Sequence, residues 1–193
     1  MSEFWLYSRL GLEHVLDWNA YDHILFLVIL VAAYSFSYWK QVLWLVTIFT
    51  IGHTLALFLS VYEIVFVSSK WVEFLIPITI LVTAIYNIMT AKKKESQKNH
   101  SLLYFTTAFF GVIHGLGFSY YFIRIVPNDK FLPLLEFALG IEAAQVIVVI
   151  TVMILGFIFQ NMLKTNRRDW ILVVSSIVIG VILPVLRENF LSL

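Results

Sequence analysis

Long apolar runs, cut by short polar stretches, dominate the chain. Roughly 20 residues rising 1.5 Å each cross a 30 Å hydrocarbon layer, so runs of that length predict membrane helices. The first predicted span covers residues 21–39, with Lys40 marking a tight turn, and the second covers 41–62. The third covers 71–91 and is followed by a polar link from Lys92 to His100. The fourth covers 101–122, the fifth 131–160 and the sixth 170–186. The fifth is long enough to tilt or protrude. Residues 1–20 have another character: Phe4, Trp5, Tyr7, Leu10 and Leu12 alternate with Glu3, Arg9 and Glu13, a mixture suited to the membrane interface. The pattern predicts an all-α fold, a polytopic membrane helix bundle of about six transmembrane helices with a short N-terminal interfacial helix. Residues 1–20 form the interfacial segment and 21–193 a single transmembrane helix-bundle domain.

Composition supports this reading and narrows the chemistry. Only 13% of the 193 residues are charged and 61% are hydrophobic, where soluble domains carry about a quarter charged residues. The mean hydropathy is +0.89. The start, Met1 to Phe4, lacks the basic stretch, apolar run and small-residue site of a cleavable signal peptide, so none is expected. There is no cysteine, which excludes disulfides and thiolate metal sites and leaves nitrogen and oxygen as metal ligands. A net charge of +1 gives no indication of a nucleic-acid partner. Lys40, Lys92, Lys93, Lys94, Lys98, Lys164, Arg167 and Arg168 lie on one side of the predicted bundle, against Arg9, Lys70, Arg124, Lys130 and Arg187 on the other. The positive-inside rule then places the three basic loops in the cytoplasm and both termini outward. The Lys92–Lys98 run reads as a topology signal or headgroup contact.

Polar side chains inside the predicted spans carry the candidate chemistry. Asp22 and His23 open the first span, where a carboxylate beside an imidazole suits orientation of the ring. His53 lies 12 residues after Gln41, roughly 18 Å in at the helical rise. His114 lies 13 residues after Ser101, roughly 20 Å in by the same measure. Glu142 lies 11 residues after Phe131, roughly 17 Å from the opposite side. His53, His114 and Glu142 are therefore expected in one layer, with Asp22 and His23 nearer the outer mouth. Helical phase predicts convergence too: Thr47, Thr50, His53 and Thr54 form one stripe, Thr107, Gly111, His114 and Gly115 another, and Glu142 and Gln145 a third. Gly111 and Gly115, four apart, allow a second helix to approach closely. The segments Phe49–Leu55 and Phe110–Leu116 also match in the placing of Phe, His and Leu. A satisfied interhelical hydrogen bond is the plain explanation for a single membrane histidine. A mid-membrane carboxylate such as Glu142 is harder to explain without a function. Neutral imidazole with carboxylate suits a borderline divalent ion such as Ni²⁺, Zn²⁺ or Co²⁺. By its surroundings alone, His14 reads as an interfacial residue, His100 as part of a loop, and Glu73 and Glu136 as solvated near the interface.

Taken together these pieces resemble the HupE/UreJ family of bacterial membrane proteins. The resemblance rests on Gly11–His14, Tyr21–Phe26, Thr47–Leu55, Val72–Pro77, Asn87, Phe110–Phe118, and Leu139–Glu142 with Gln145, and it spans roughly residues 10–150. It implies a bundle of about six helices in the bacterial cytoplasmic membrane and an association with nickel uptake. It also maps a His-then-Asp-His element onto His14, Asp22 and His23, and a histidine-glycine element onto His114 and Gly115. The expected metal ligands are thus His14, Asp22, His23, His53, His114 and Glu142. The expected function is a divalent-metal permease, with the lipid bilayer and a metal ion (Ni, Zn or Co) as partners. A further copy of the chain or a partner membrane protein is left open. No P-loop is present to supply ATP energy. Asn87 and Thr107 are candidates for an exit path. Two rivals stand beside the permease. One is a metal-dependent intramembrane hydrolase acting on lipid or membrane peptide, with Glu142 as general base. The other is a non-catalytic assembly subunit of a membrane complex.

Overall fold

The structure, a computed structural model, describes residues 3–18, 21–93, 100–126 and 130–193. Its described residues are all-α. The helices are α1 (Glu3–Leu16), α2 (Asp22–Ala32), α3 (Trp39–Val61), α4 (Ser69–Thr90), α5 (His100–Ile125), α6 (Phe131–Phe157) and α7 (Arg167–Leu191), with one tight 3-10 turn at Phe36–Tyr38 and a π-helical extension of α6 at Ile158–Met162. Five helices, α3 to α7, are long and apolar enough to cross a membrane. They alternate in direction. One end of the bundle carries Lys40, Lys92, Lys93, Lys164, Arg167 and Arg168, and is called the basic end below. The other is the far end. Most of the link after α4 lies outside the described residues.

The first predicted span departs from its expected length. α2 has 11 residues, about 16 Å at the helical rise and half of a hydrocarbon layer. It begins level with His53, deep in the bundle, and needs only the remaining half to reach the basic end. There the chain turns through residues 33–38 into α3. A short buried helix leaves C-terminal carbonyls to satisfy. Asn87 Nδ2 of α4 donates to Ile29 O at 2.6 Å, and Arg167 Nη2 of α7 donates to Ala33 O at 2.7 Å. The guanidinium also opposes the negative end of the helix dipole. Asn87 therefore ties α4 to α2. Asn87→Leu leaves Ile29 O unpaired in an apolar surrounding and is expected to cost about 1–3 kcal/mol. Thermal unfolding in detergent would read this as a lowered Tm, and an unchanged Tm would show that this carbonyl finds another donor.

Proline leaves a similar account to settle in α4. Pro77 has no N–H to give the Glu73 carbonyl four residues back. Asn189 Nδ2 of α7 supplies the missing donor at 2.6 Å, which joins α4 and α7 at the far end. Two glycine-mediated contacts organise the rest. α3 and α5 run parallel, and Cβ atoms added at Gly52, Gly111 or Gly115 would run into the backbone of Ala108, Phe49 and His53 respectively. α1 lies against α6 in the same manner, with Gly11 on the Phe137 backbone and Gly140 on the Ser8 backbone. The segment expected at the membrane interface thus packs along a membrane helix. The seam between α3–α5 and α1–α6 is where the polar side chains gather.

Candidate metal centre

Four histidines from four helices meet in this seam. His14 ends α1, His23 opens α2, and His53 and His114 lie midway along α3 and α5. Ring centroids are 4.7 Å apart for His14 and His23, 5.8 Å for His23 and His53, 6.0 Å for His14 and His53, and 5.2 Å for His23 and His114. His23, His53 and His114 are each no more than 3% exposed. Ligand nitrogens of His14, His23 and His53 lie within 4.8 Å of one another. Two nitrogens bound to one ion at ~2.1 Å are at most ~4.2 Å apart, so a small inward movement of the rings would complete a shared site.

Hydrogen bonds leave the ligand nitrogens free. His23 Nδ1 lies 3.0 Å from Asp22 Oδ1, which also accepts the His23 backbone N–H at 2.8 Å. His114 Nδ1 lies 2.8 Å from the Phe110 carbonyl one turn earlier in α5. A carbonyl can only accept, so His114 carries its proton on Nδ1 and presents the Nε2 lone pair. An ionised Asp22 fixes His23 in the same tautomer. The Nε2 atoms of His14, His23 and His114, and both ring nitrogens of His53, are buried with no hydrogen-bond partner among the described residues. Buried polar atoms without partners are costly. Here they belong to one cluster and to a residue type that ligates metals through a neutral nitrogen. The donor set fits Ni²⁺, Co²⁺ or Zn²⁺.

The site residues expected from sequence fall into two groups. His14, Asp22, His23, His53 and His114 come together, with Asp22 holding His23 and not itself among the clustered nitrogens. Glu142 does not join them. Its Oε1 accepts a hydrogen bond from Thr47 Oγ1 of α3 at 2.6 Å, and the neighbouring Gln145 Oε1 accepts one from Thr50 Oγ1 at 2.8 Å. Nor do Asp22 and His23 stand apart at an outer mouth: they share the layer of His53. Glu73 lies in the cavity wall described next, and Glu136 is buried at 6% exposure.

A cavity of about 900 Å³ leads from the far end to the histidines. His14, His23 and His114 line its inner part, and Glu13, Asp17, Asp22 and Glu73 line its walls. Below the histidines, towards the basic end, the passage is filled by aromatic rings. Phe26 stacks on Phe49 at 4.9 Å, Phe110 meets Phe26 edge-on at 5.9 Å, and His114 sits 5.3 Å from Phe26 and 5.2 Å from Phe49. On the other side Phe118 lies 3.9 Å from the His14 ring and stacks on Phe137 at 4.9 Å. Reading the histidines alone overlooked these rings, although a signal was present. Phe26, Phe49, Phe110 and Phe118 each sit three or four positions from a histidine, the spacing that puts side chains on one helix face. Beyond the floor, Leu30, Thr83, Tyr86, Thr106, Thr107 and Phe110 line a smaller pocket of about 110 Å³ between α4 and α5.

No curated protein and no solved structure matches this chain. A family model described as HupE / UreJ protein matches residues 1–186, which takes in every helix that contributes to the centre. Match and residues agree, and the chain belongs to the HupE/UreJ family.

Proposed function

We infer that the chain is a permease for a divalent transition-metal ion of the nickel and cobalt kind, loaded at the histidine cluster from the far end of the bundle. The HupE/UreJ family implies a membrane permease accessory to nickel or cobalt handling. The observation that carries the reading for this chain is the set of buried ring nitrogens without partners at the closed bottom of a cavity. The far end faces outward and the basic end faces the cytoplasm, following the positive-inside rule. Carboxylates along the cavity wall attract cations and raise their local concentration. The neutral nitrogens then replace part of the hydration shell. The aromatic floor of Phe26, Phe49 and Phe110 closes the way inward, so passage requires these rings to part. In this reading the cavity is the outward-open state of an alternating cycle.

A hydrolase would also suit a cavity closed at its base. The general base expected for it, Glu142 of α6, faces Thr47 of α3 and forms no part of the cavity lining. Uptake of radioactive nickel into liposomes holding the purified chain separates the two. Saturable uptake that disappears in His53→Leu is expected. No uptake above that of empty liposomes would sink the permease. Asp22→Asn retains an oxygen facing His23 and removes the charge. It is expected to weaken nickel binding by about 10–100-fold, the usual effect of disturbing a group that orients a ligand. Isothermal titration of nickel into the metal-free protein would measure it, and an unchanged affinity would remove Asp22 from the centre.

A further inference from the structure

The geometry points to a second cation site, made only of oxygen atoms, where Thr47 and Thr50 of α3 meet Glu142 and Gln145 of α6, and its chemistry selects a hard monovalent cation, Na⁺. The two pairs stand side by side, three residues apart on each helix, so their side chains are neighbours. Thr47 Oγ1 donates to Glu142 Oε1 and Thr50 Oγ1 to Gln145 Oε1. One oxygen of the pairs is left over: Glu142 Oε2 is buried with no hydrogen-bond partner among the described residues, beside Gln145, which is 0% exposed. No Lys or Arg pairs with Glu142 among the described residues.

Charge and donor type together identify the ligand. A single carboxylate amid apolar helices, with no cationic side chain to balance it, is expensive. One monovalent cation cancels it, whereas a divalent ion would leave a net charge in the bundle. Carboxylate, hydroxyl and amide oxygens are hard donors and suit hard cations, while the imidazole cluster suits borderline transition metals. The chain thus keeps two cations apart by ligand chemistry. The threonines can also turn towards an ion. Thr50 Oγ1 has a second acceptor in Val46 O at 3.2 Å, so its proton can move to the backbone and leave its lone pairs, and Gln145 Oε1, free for the cation. Thr47 can make the same bond to the carbonyl four residues before it.

Coupling follows from the positions. His53 lies three residues from Thr50, one turn of α3. A cation held between α3 and α6 therefore fixes the helix that carries His53, and both sites straddle the same seam. The Na⁺ site stands on its own observations. Its role in driving metal uptake rests on the permease reading.

Binding of radioactive Na⁺ to the purified full-length chain, with choline as the replacement cation, tests the site. Saturable binding is expected, weakened tenfold or more in Glu142→Gln and in the Thr47→Val/Thr50→Val pair. The Thr47→Ser/Thr50→Ser pair keeps both hydroxyls and is expected to bind within about threefold of the parent, by the same donor chemistry. Gly180→Ala, where an added Cβ meets nothing within 4 Å, is expected to leave Na⁺ binding unchanged. Wild-type binding no greater than in Glu142→Gln overturns the site, as does binding that survives in the valine pair. Nickel uptake that follows a proton gradient and ignores Na⁺ overturns the coupling. Na⁺ binding without any nickel binding refutes the permease and leaves the oxygen site standing.

Discussion

His53→Leu is expected to lower retained nickel or cobalt by more than about 100-fold, beyond the 10–100-fold loss that follows removal of an orienting partner. Plasma mass spectrometry of the washed, metal-loaded protein would measure it. The centre places His53 where His14 and His23 both approach it, and neither of its nitrogens is used by the protein. Leucine is similar in volume, so the site keeps its packing and loses one imidazole. The same substitution removes two buried polar atoms without partners, whose burial is unfavourable. The melting temperature of the metal-free protein is therefore expected to stay level or rise. A structural histidine would give the opposite, a lowered Tm with metal content unaffected. Protons compete with the metal for the same nitrogens, so retention falls as pH is lowered and recovers as it is raised. Glu142→Ala, in contrast, is expected to change metal content by less than about threefold, since the carboxylate lies on a different helix face. Equal losses in both variants would mean that the histidines and Glu142 act on one ion after all.

That contrast marks the limit of what sequence could reveal. Depth along a helix follows from counting residues, and it placed His53, His114 and Glu142 in one layer. Rotation about the helix does not follow from depth. Phe137 faces His14 at 5.8 Å, and Glu142, five positions later, points about 140° away around α6, towards the threonines of α3. His14 was illegible for a related reason. Its neighbours alternate polar and apolar as an interfacial helix does, and only resemblance to the family pointed to it. It enters the bundle because Gly11 and Gly140 let α1 settle against the backbone of α6, a contact between distant segments that no local pattern encodes. The length of α2 was hidden as well, because the apolar run continues past Ala32 into a turn at the basic end. The five long helices were legible, since their length and hydropathy are local properties. So was the Asp22–His23 pair, whose hydrogen bond joins adjacent residues.

The matching segments Phe49–Leu55 and Phe110–Leu116 acquire a physical meaning from the glycines between them, and this sets up the largest expected loss of stability. α3 and α5 run parallel with Gly111 against Phe49 and Gly115 against His53, nearly the same offset that aligns the two segments in sequence. Similar turns of two helices therefore lie side by side and present His53 and His114 from adjoining positions. A Cβ on Gly115 would meet the His53 carbonyl and lie 2.9 Å from the His53 Cα. These are backbone atoms of α3, and they have no rotamer to adopt. Gly115→Ala must push α3 and α5 apart, at a cost of about 1–3 kcal/mol or more for overpacking. It also displaces the two histidines from each other. Gly180 is the control, because a Cβ there meets nothing within 4 Å. Alanine at position 180 gains about 0.5–1 kcal/mol of helix propensity and loses no packing. Thermal unfolding in detergent is thus expected to give a markedly lower Tm for Gly115→Ala and an equal or higher one for Gly180→Ala, with metal retention reduced in the first alone. If both alanines behaved alike, the close approach of α3 and α5 would not be what holds the centre together. A reduced Tm with full metal retention would separate the glycine contact from the placing of the histidines.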